Sequence, residues 1–297
     1  MDTRRQMLPF SWGEVSYLEW LPEGEPASTV LLLHGGGLDS AALSWGEVGP
    51  ALAAAGHRVL APDHPGYGES PPAWPATHGR LVAYVGEFVD ALGLDRYVIG
   101  GLSLGGGMAL GHVLRRPRGV AGVILLGSYG LMDRQFEGPL AAPLHVVTWV
   151  MLRSGMLGAV MKLYGASRTL MATSVRGLIR NPEQRTPELL DAIMDAARGS
   201  SFEAFEQWQR DQFLWNHLNT NYTDRLGSVA CPVLIVHGDH DSGVPVACAE
   251  RAAAQLPDAE LLVVRDAGHW VQRDRPEVVA PAMKDFIARL GEATPSS

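Results

Sequence analysis

Six short, almost wholly apolar runs recur along the chain, and stretches of amphipathic, helix-like sequence lie between them. The runs are rich in β-branched residues and leucine without alternation, which is typical of parallel strands covered on both faces. The sequence therefore predicts an α/β fold with a doubly wound, mostly parallel sheet. The segment 10–20 is expected to add an antiparallel hairpin at the sheet edge. The runs cover residues 30–33, 59–61, 97–101, 120–126, 233–236 and 261–264, and the helix-like stretches cover 45–55, 80–92, 104–116, 246–255 and 277–290.

This alternation breaks in the middle of the chain. No strand-like run of the core kind occurs there, and helical patterns follow one another at 151–163, 187–198 and 202–213. We interpret the stretch as a helical insertion placed on the sheet. The expected parts are a first core segment at 1–127, the insertion at 128–227 and a second core segment at 228–297.

The strongest candidate for a nucleophile is Ser103. It lies in Gly-Leu-Ser-Leu-Gly-Gly at 101–106, directly after one predicted strand and directly before a predicted helix. A serine on such a turn has strained backbone angles and needs small neighbours, which Gly101 and Gly105 supply. The helix that starts here also favours developing negative charge. The alternative interpretation is a plain tight turn.

A second glycine-rich loop, His34-Gly35-Gly36-Gly37, follows the first predicted core strand. Backbone N–H groups in such a loop can stabilise an oxyanion without reorganising. We expect Gly36 to be one donor, with Gly37 as second choice, and the amide of Leu104 to be the other. His34 is expected to be structural. The alternative interpretation of the glycines is a turn that leads into the next helix.

A serine nucleophile also needs a base and an acid that orients the base, in the order serine, acid, histidine. Asp241 is preferred as the acid because it follows a strand within a G-x-x-D-x-x-x-P stretch, while Asp239 is closer to the strand end and suits a local turn. His269 follows the last predicted strand. The carboxyl ends of parallel strands share one edge, so His269 can reach Ser103 there.

Together, these stretches resemble the α/β-hydrolase superfamily over nearly the whole chain. The resemblance implies that Ser103 attacks a carbonyl, that His269 takes its proton and that Asp241 holds the imidazole. It also implies that 128–227 is a helical cap that shapes the substrate pocket. The matching stretches are H-G-G-G at 34–37, D-x-x-G-x-G-x-S at 63–70, G-L-S-L-G-G at 101–106, G-D-H-D-x-x-x-P at 238–245 and G-H-W at 268–270.

The expected substrate contacts are apolar. Thioethers and indoles adapt to irregular apolar ligands. The alternative for each of these residues is packing of the cap against the core. The residues expected to line the pocket are Met151, Met156, Met161, Met171, Trp208 and Trp270.

Within the superfamily, the resemblance favours a hydrolase of a small, mostly apolar carboxylic ester or lactone. H-G-G-G and G-H-W look like carbon–carbon bond hydrolases of ring-cleavage products, which are one alternative. Those enzymes commonly have G-N-S at the turn that carries the nucleophile, where this chain has Leu102 in place of the asparagine. They also commonly have Pro-Gly after H-G-G-G, where this chain has Leu38-Asp39. A second alternative is a low-turnover ligand receptor on the same fold.

The composition limits the classes of partner and cofactor that we expect for this protein. The formal net charge of −8 argues against nucleic acid and against a membrane. Cys231 and Cys248 lack metal-ligand spacing, and no metal or organic cofactor is implied. We expect a cytoplasmic enzyme that acts on a small molecule. The sequence leaves its oligomeric state open.

Overall fold

A computed structural model describes residues 2–199 and 201–292 of the chain. Eight strands form one sheet in the order β1-β2-β4-β3-β5-β6-β7-β8. Neighbours from β4 to β8 are parallel, whereas β2 is antiparallel to both β1 and β4. The predicted mostly parallel α/β sheet is therefore confirmed. An antiparallel edge hairpin is also present, but the predicted segment 10–20 covers only its turn and second strand. The strands are β1 (Asp2–Phe10), β2 (Gly13–Leu21), β3 (Ser28–Leu33), β4 (His57–Pro62), β5 (Tyr97–Leu102), β6 (Val120–Leu126), β7 (Val233–Gly238) and β8 (Ala259–Val264).

Helices cover both faces of this sheet, which explains why its strands lack alternation. In β3, Val30 and Leu32 join one apolar cluster and Leu31 and Leu33 join the other, and all four are fully buried. The described helices are α1 (Ala41–Trp45), α2 (Val48–Ala54), α3 (His78–Ala91), α4 (Leu104–Arg115), α5 (Ala141–Arg153), α6 (Met156–Ala166), α7 (Arg168–Leu178), α8 (Pro187–Ala196), α9 (Ser201–Gln212), α10 (Val246–Gln255), α11 (Val271–Asp274) and α12 (Pro276–Glu292).

The helix predicted at 45–55 is confirmed over Val48–Ala54, where α2 lies, but its first residue, Trp45, belongs to a separate short helix, α1. Ser40 starts α1 early, since its hydroxyl accepts a hydrogen bond from the Leu43 amide at 3.2 Å. Trp45 ends α1, where the amide of Gly46 donates to Ala42 O, and α2 begins at Val48. A side-chain oxygen at the N-cap is a strong local start signal for a helix, and Ser40 supplies it for α1.

The five helices α5 to α9 lie between β6 and β7, where the sequence predicts the insertion. The helical pattern at 151–163 is divided between α5 and α6. The break falls at Gly155, whose φ of 76° is in the left-handed region and ends α5 after Arg153. The division of the chain into core and cap stays a prediction.

We predict that Gly105→Ala lowers the free energy of unfolding by about 3 kcal/mol, because overpacking against backbone cannot relax. A Cβ at Gly105 would lie 2.5 Å from the carbonyl oxygen of His34. Denaturant unfolding measures the change. Gly79→Ala is the matched control: nothing lies within 4 Å of its Cβ position, so that helical site should tolerate alanine. Equal effects at both positions would contradict the close approach of α4 to β3.

Candidate active site

Ser103 lies on a strained turn between β5 and α4. Its φ of 50° and ψ of −113° are unfavourable for a residue with a side chain. The turn is held from both sides, since the Ser103 amide donates to Leu126 O at 2.8 Å and the amide of Gly107 donates to Ser103 O at 3.0 Å. A Cβ at Gly101 would lie 2.5 Å from the Gly106 amide nitrogen. This is the strand-turn-helix geometry that the sequence predicts.

Asp241 and His269 are in direct contact across the ends of β7 and β8. The Nδ1 atom of His269 lies 2.8 Å from Oδ1 and 2.9 Å from Oδ2 of Asp241. The same carboxylate also accepts the amides of Gly243 at 2.7 Å and Val244 at 2.8 Å. Asp239, the competing acid, instead accepts the Ala267 amide at 3.3 Å. The geometry thus joins His269 to the carboxylate that the sequence favours.

Two glycines bring backbone close to this pair. A Cβ at Gly127, which follows β6 with a φ of +47°, would lie 2.9 Å from Asp241 Oδ2. A Cβ at Gly243 would lie 2.9 Å from the ring of His269. The imidazole therefore has backbone against it on two sides, and packing as well as hydrogen bonding fixes its orientation.

The charges of the pair set the two pKa values in opposite directions. Burial alone would raise the pKa of Asp241, but the positive charge at His269 and hydrogen bonds from His237 and His269 hold it well below its usual range. Burial alone would lower the pKa of His269, but the charge of Asp241, the hydrogen bond to it and the charge of Asp39 raise it above 6.5. An ionised Asp241 therefore favours a protonated His269.

The glycine loop after β3 rests on a buried carboxylate that sequence reasoning missed. Asp39 is fully buried and accepts the Gly35 amide at 2.7 Å, the Ser40 amide at 2.8 Å and the Ser44 hydroxyl at 2.6 Å. Burial raises its pKa to about 6 against the lowering effect of these hydrogen bonds and of Arg273. Asp39 thus fixes the first residue of the loop that carries Gly36 and Gly37.

Two stacked histidines join the same loop to the 63–70 stretch, which a serine hydroxyl stabilises. The amide of His64 donates to Nε2 of His34 at 2.9 Å, and the two rings stack with centroids 3.8 Å apart. Ser70 donates its hydroxyl to Asp63 O at 2.7 Å. These contacts agree with a structural part for His34 and for the 63–70 stretch.

A cavity of about 680 Å³ connects these elements. Ser103, His269 and the glycines Gly36 and Gly37 all line it, together with Gly35. Leu104 is buried at the start of α4, directly after Ser103. The described side chains around the rest of the cavity come mostly from α5 to α9 and are largely apolar: Leu38, Val160, Met161, Tyr164, Met171, Val175, Leu178, Ile193, Phe202, Phe205, Trp208, Phe213, Val244 and Trp270.

The structure separates the predicted substrate contacts into two groups. Met161, Trp208 and Trp270 line the cavity, as does Met171. Met151 and Met156 lie outside the lining, and Met156 is 51% exposed. The reason is helical geometry, because positions 156 and 161 lie about 140° apart around α6. Met151 and Met156 are therefore not among our proposed substrate contacts.

Some lining residues carried no local sequence signal. Phe205 of α9 lies against the glycine loop, where a Cβ at Gly36 would be 2.5 Å from its ring. Two elements about 170 positions apart make this contact, so neither segment alone indicates it. His237, by contrast, lies four residues before Asp241 and approaches its Oδ2 at 3.2 Å. The four-residue spacing of His237 and Asp241 after a strand end is a sequence feature that could have indicated this contact.

Comparison with known proteins fits this geometry. The model of the alpha/beta hydrolase fold family matches residues 28–276. The chain belongs to the α/β-hydrolase family. This α/β hydrolase is therefore an enzyme of that superfamily, as its motifs predict, and the fold prediction is confirmed a second time.

Its relatives include both carbon–carbon bond hydrolases and esterases. A 2-hydroxy-6-oxononadienedioate/2-hydroxy-6-oxononatrienedioate hydrolase of Cupriavidus pinatubonensis is 29% identical over 89% of this chain and 88% of its own. A pimeloyl-[acyl-carrier protein] methyl ester esterase of Aromatoleum aromaticum is 29% identical over 87% of this chain and 97% of its own. A solved meta-cleavage product hydrolase of Pseudomonas fluorescens has a TM-score of 0.76 at 23% identity, covers 96% of this chain and 97% of its own, and shares the fold.

We predict that Asp39→Asn in this α/β hydrolase lowers kcat for an activated ester, such as p-nitrophenyl acetate, about 10–100-fold, the equivalent of one charge-assisted hydrogen bond. The side-chain NH₂ of the asparagine would face groups that donate hydrogen bonds to Asp39 in the wild type, so the loop at Gly35 would shift. The apolar cavity would be unchanged, so KM should stay nearly constant. Steady-state kinetics measure the split between kcat and KM. Asp285→Asn, at an exposed aspartate of α12, is the control. An unchanged kcat would contradict this positioning of the loop.

Proposed function

We propose that this chain is a serine hydrolase that cleaves a small, mostly apolar carboxylic ester or lactone through an acyl-enzyme. The observation that carries the proposal is the cavity itself. It brings the side chains of Ser103 and His269 to one apolar space, and none of the described residues that line it is Asp, Glu, Lys or Arg. A neutral acyl group fits such a lining without burying an unpaired charge.

In the proposed first step, Ser103 Oγ attacks the ester carbonyl and His269 Nε2 takes the hydroxyl proton. Asp241 accepts the hydrogen bond from Nδ1 and stabilises the imidazolium that forms. The N–H groups of Gly36 and Leu104 stabilise the oxyanion, with Gly37 as second choice to Gly36. Collapse of the tetrahedral intermediate breaks the bond to the alcohol oxygen, and His269 returns its proton to that leaving group.

In the second step, His269 removes a proton from water, and the hydroxide oxygen attacks the acyl carbonyl. The same amides stabilise the new oxyanion. The bond to Ser103 Oγ then breaks, the serine recovers its proton from His269, and the carboxylic acid leaves. A lactone follows the same path, except that the alcohol and the acid remain in one product.

The lack of charge in the cavity favours an ester over a ring-cleavage product. The Cupriavidus relative is named for dienedioate and trienedioate substrates, which are dicarboxylates. A buried carboxylate is stabilised most strongly by a cationic partner, and no Lys or Arg occurs among the described lining residues. Among the described lining residues, the polar side chains away from Ser103 and His269 are uncharged: Tyr129, Gln135, Thr148, Tyr164, Thr173, Ser174 and Gln209.

We further propose that residues 128–227 act as the cap of this hydrolase. Helices α6, α7 and α9 contribute Met161, Met171 and Trp208 to the cavity, while Ser103 and His269 come from the strand ends. Trp208 also donates its indole N–H to His78 Nδ1 at 3.3 Å, which ties α9 to the start of α3. The cap would thus exclude water and shape the acyl pocket.

Carbon–carbon bond hydrolysis is the second candidate function. Several relatives at 26–29% identity are named for it, and H-G-G-G and G-H-W are shared features of the resemblance. Such a reaction would use the same cavity with a different scissile bond.

We predict that Ser103→Ala abolishes both labelling by a fluorophosphonate probe and hydrolysis of neutral acyl esters and lactones. In the wild-type enzyme, kcat/KM for a neutral ester should exceed that of its ω-carboxylate analogue by about 10-fold or more, since burying a carboxylate without a cationic partner costs more than the roughly 1–3 kcal/mol of an unpaired neutral polar group. A dienoate ring-cleavage product is assayed in parallel. Faster cleavage of that dienoate would favour the second candidate, and no Ser103-dependent turnover of any substrate would support the receptor alternative.

We predict that Asp241→Asn lowers kcat by about 10³–10⁴-fold, as loss of the orienting acid does in serine hydrolases. The base acts only when His269 is neutral, so activity of the wild type should fall as the pH drops through a pKa above 6.5. Removing the negative charge of Asp241 should move that midpoint to lower pH. Asp239→Asn is the matched control, and a larger loss there would overturn the choice of acid.

A further inference from the structure

Exposed apolar side chains are concentrated on two consecutive helices. Of eleven large hydrophobic residues that are exposed in the described chain, eight lie between positions 140 and 163. Single exposed hydrophobics are normal, but a concentrated group indicates an interaction surface. Val160 also lines the cavity, and we call the other seven residues the α5–α6 surface: Leu140, Leu144, Val146, Val147, Val150, Met156 and Leu163.

Helix α6 shows the pattern most clearly. None of its residues is fully buried. Its inner side contributes Met161 and Tyr164 to the cavity, while Met156 and Leu163, seven positions apart on one helical face, are 51% and 59% exposed. A helix that only covered a pocket would present polar residues to water. This helix is apolar on both sides.

The charge of this region is opposite to that of the whole chain. Between positions 138 and 182 the sequence has five Lys or Arg residues and no Asp or Glu, although the formal net charge of the protein is −8. One of the five, Arg168, is paired with Asp191 of α8.

Arg153 in the last turn of α5 and Lys162 in α6 are both exposed. Lys162 lies on the side of α6 toward α9, where Glu203 and Glu206 line the same groove. Glu206 of α9 lies near Gly158, but its carboxylate is paired with Arg210 at 2.7 Å.

Apolar side chains flanked by basic ones fit an anionic lipid surface. In the described part of the chain no single helix is long and apolar enough to cross a bilayer, and α5 and α6 pass that test only as a pair bent by 78°. A symmetric contact with a second copy would bring the same patch of Arg153 and Lys162 against itself, and like charges oppose such a contact.

We propose that the α5–α6 surface docks this enzyme on anionic lipid surfaces, with its apolar side chains in the interfacial region and Arg153 and Lys162 near the headgroups. The net charge of the whole protein argues against a membrane partner. Charges more than a Debye length from the lipid surface are screened, however, so binding depends mainly on the charges of α5 and α6 themselves. Docking does not depend on the proposed ester chemistry. The inner side of α6 lines the cavity, so the docked face and the substrate space would share one helix.

The test is co-sedimentation of the full chain with vesicles of phosphatidylcholine, alone or with phosphatidylglycerol. We expect binding to the mixed vesicles that weakens as salt is added. The double variant Val147→Asp/Leu163→Asp should reduce the vesicle partition coefficient at least about tenfold, since both side chains would leave the apolar phase as charges. Lys162→Glu should reduce it at least about fivefold on anionic vesicles alone. Val278→Asp, at an exposed valine of α12, is the matched control and should bind normally.

Three outcomes would overturn the proposal. The first is a partition coefficient of Val147→Asp/Leu163→Asp equal to that of the wild type, and the second is an equal loss of binding in Val278→Asp. The third is that the wild type does not bind mixed vesicles and instead forms a concentration-dependent dimer in light scattering, which the double variant abolishes. That result would assign the surface to a second copy. Hydrolysis of a water-soluble short ester and the circular dichroism spectrum report folding of each variant. If the aspartates unfold the chain, Val147→Ser/Leu163→Ser replaces them. Loss of ester turnover in every form, with vesicle binding intact, would contradict the proposed function and leave docking standing.

Discussion

The close contact between the start of α4 and the end of β3 is the constraint on which the rest of the site depends. Neither Gly101 nor Gly105 has room for a Cβ, because backbone atoms of the neighbouring segment occupy that space. This contact holds Ser103 at a positive φ and points the start of a helix at the cavity. It also fixes the distance between Ser103 and the glycine loop after β3. Small side chains at two positions thus set the geometry on which the proposed attack and oxyanion stabilisation both rely.

Parallel strands bring the remaining groups to the same edge. β5 is separated from β7 by β6 alone, and Gly127 at the end of β6 leaves space for Asp241 and His269 beside the serine turn. The contact of His269 with Asp241 is then both an electrostatic and a packing arrangement. Burial makes an uncompensated charge costly there, and the two groups compensate each other, which is why their pKa values move apart.

Much of this could be predicted from the sequence, because strand ends and glycine-flanked turns are local features. The positions of the core strands and their parallel type, the turn at Ser103 and the choice of Asp241 over Asp239 as the partner of His269 all agree with the structure in their geometry. The order of the strands in the sheet was not predicted. The missed features depend on distant segments. Phe205 contacts Gly36 only after the insertion has folded onto the core, and the depth at which Asp39 is buried follows from the whole loop. The break at Gly155 turned one helical pattern into two helices and put Met156 on the outside.

That break also explains why α6 has apolar residues on opposite sides. An uninterrupted helix would have continued the direction of α5, whereas the bend of 78° lays α6 across the cavity. One side of α6 then faces the cavity, and the other side is exposed at the protein surface. Keeping leucine, valine and methionine on that outer side carries a cost in water, where exposed apolar patches promote association. A lipid surface removes this cost and, through Lys162 and Arg153, adds an attraction that a second copy of the same basic patch could not supply. The proposed lipid surface therefore accounts for the apolar outer side of α6, just as the uncharged cavity accounts for its apolar inner side.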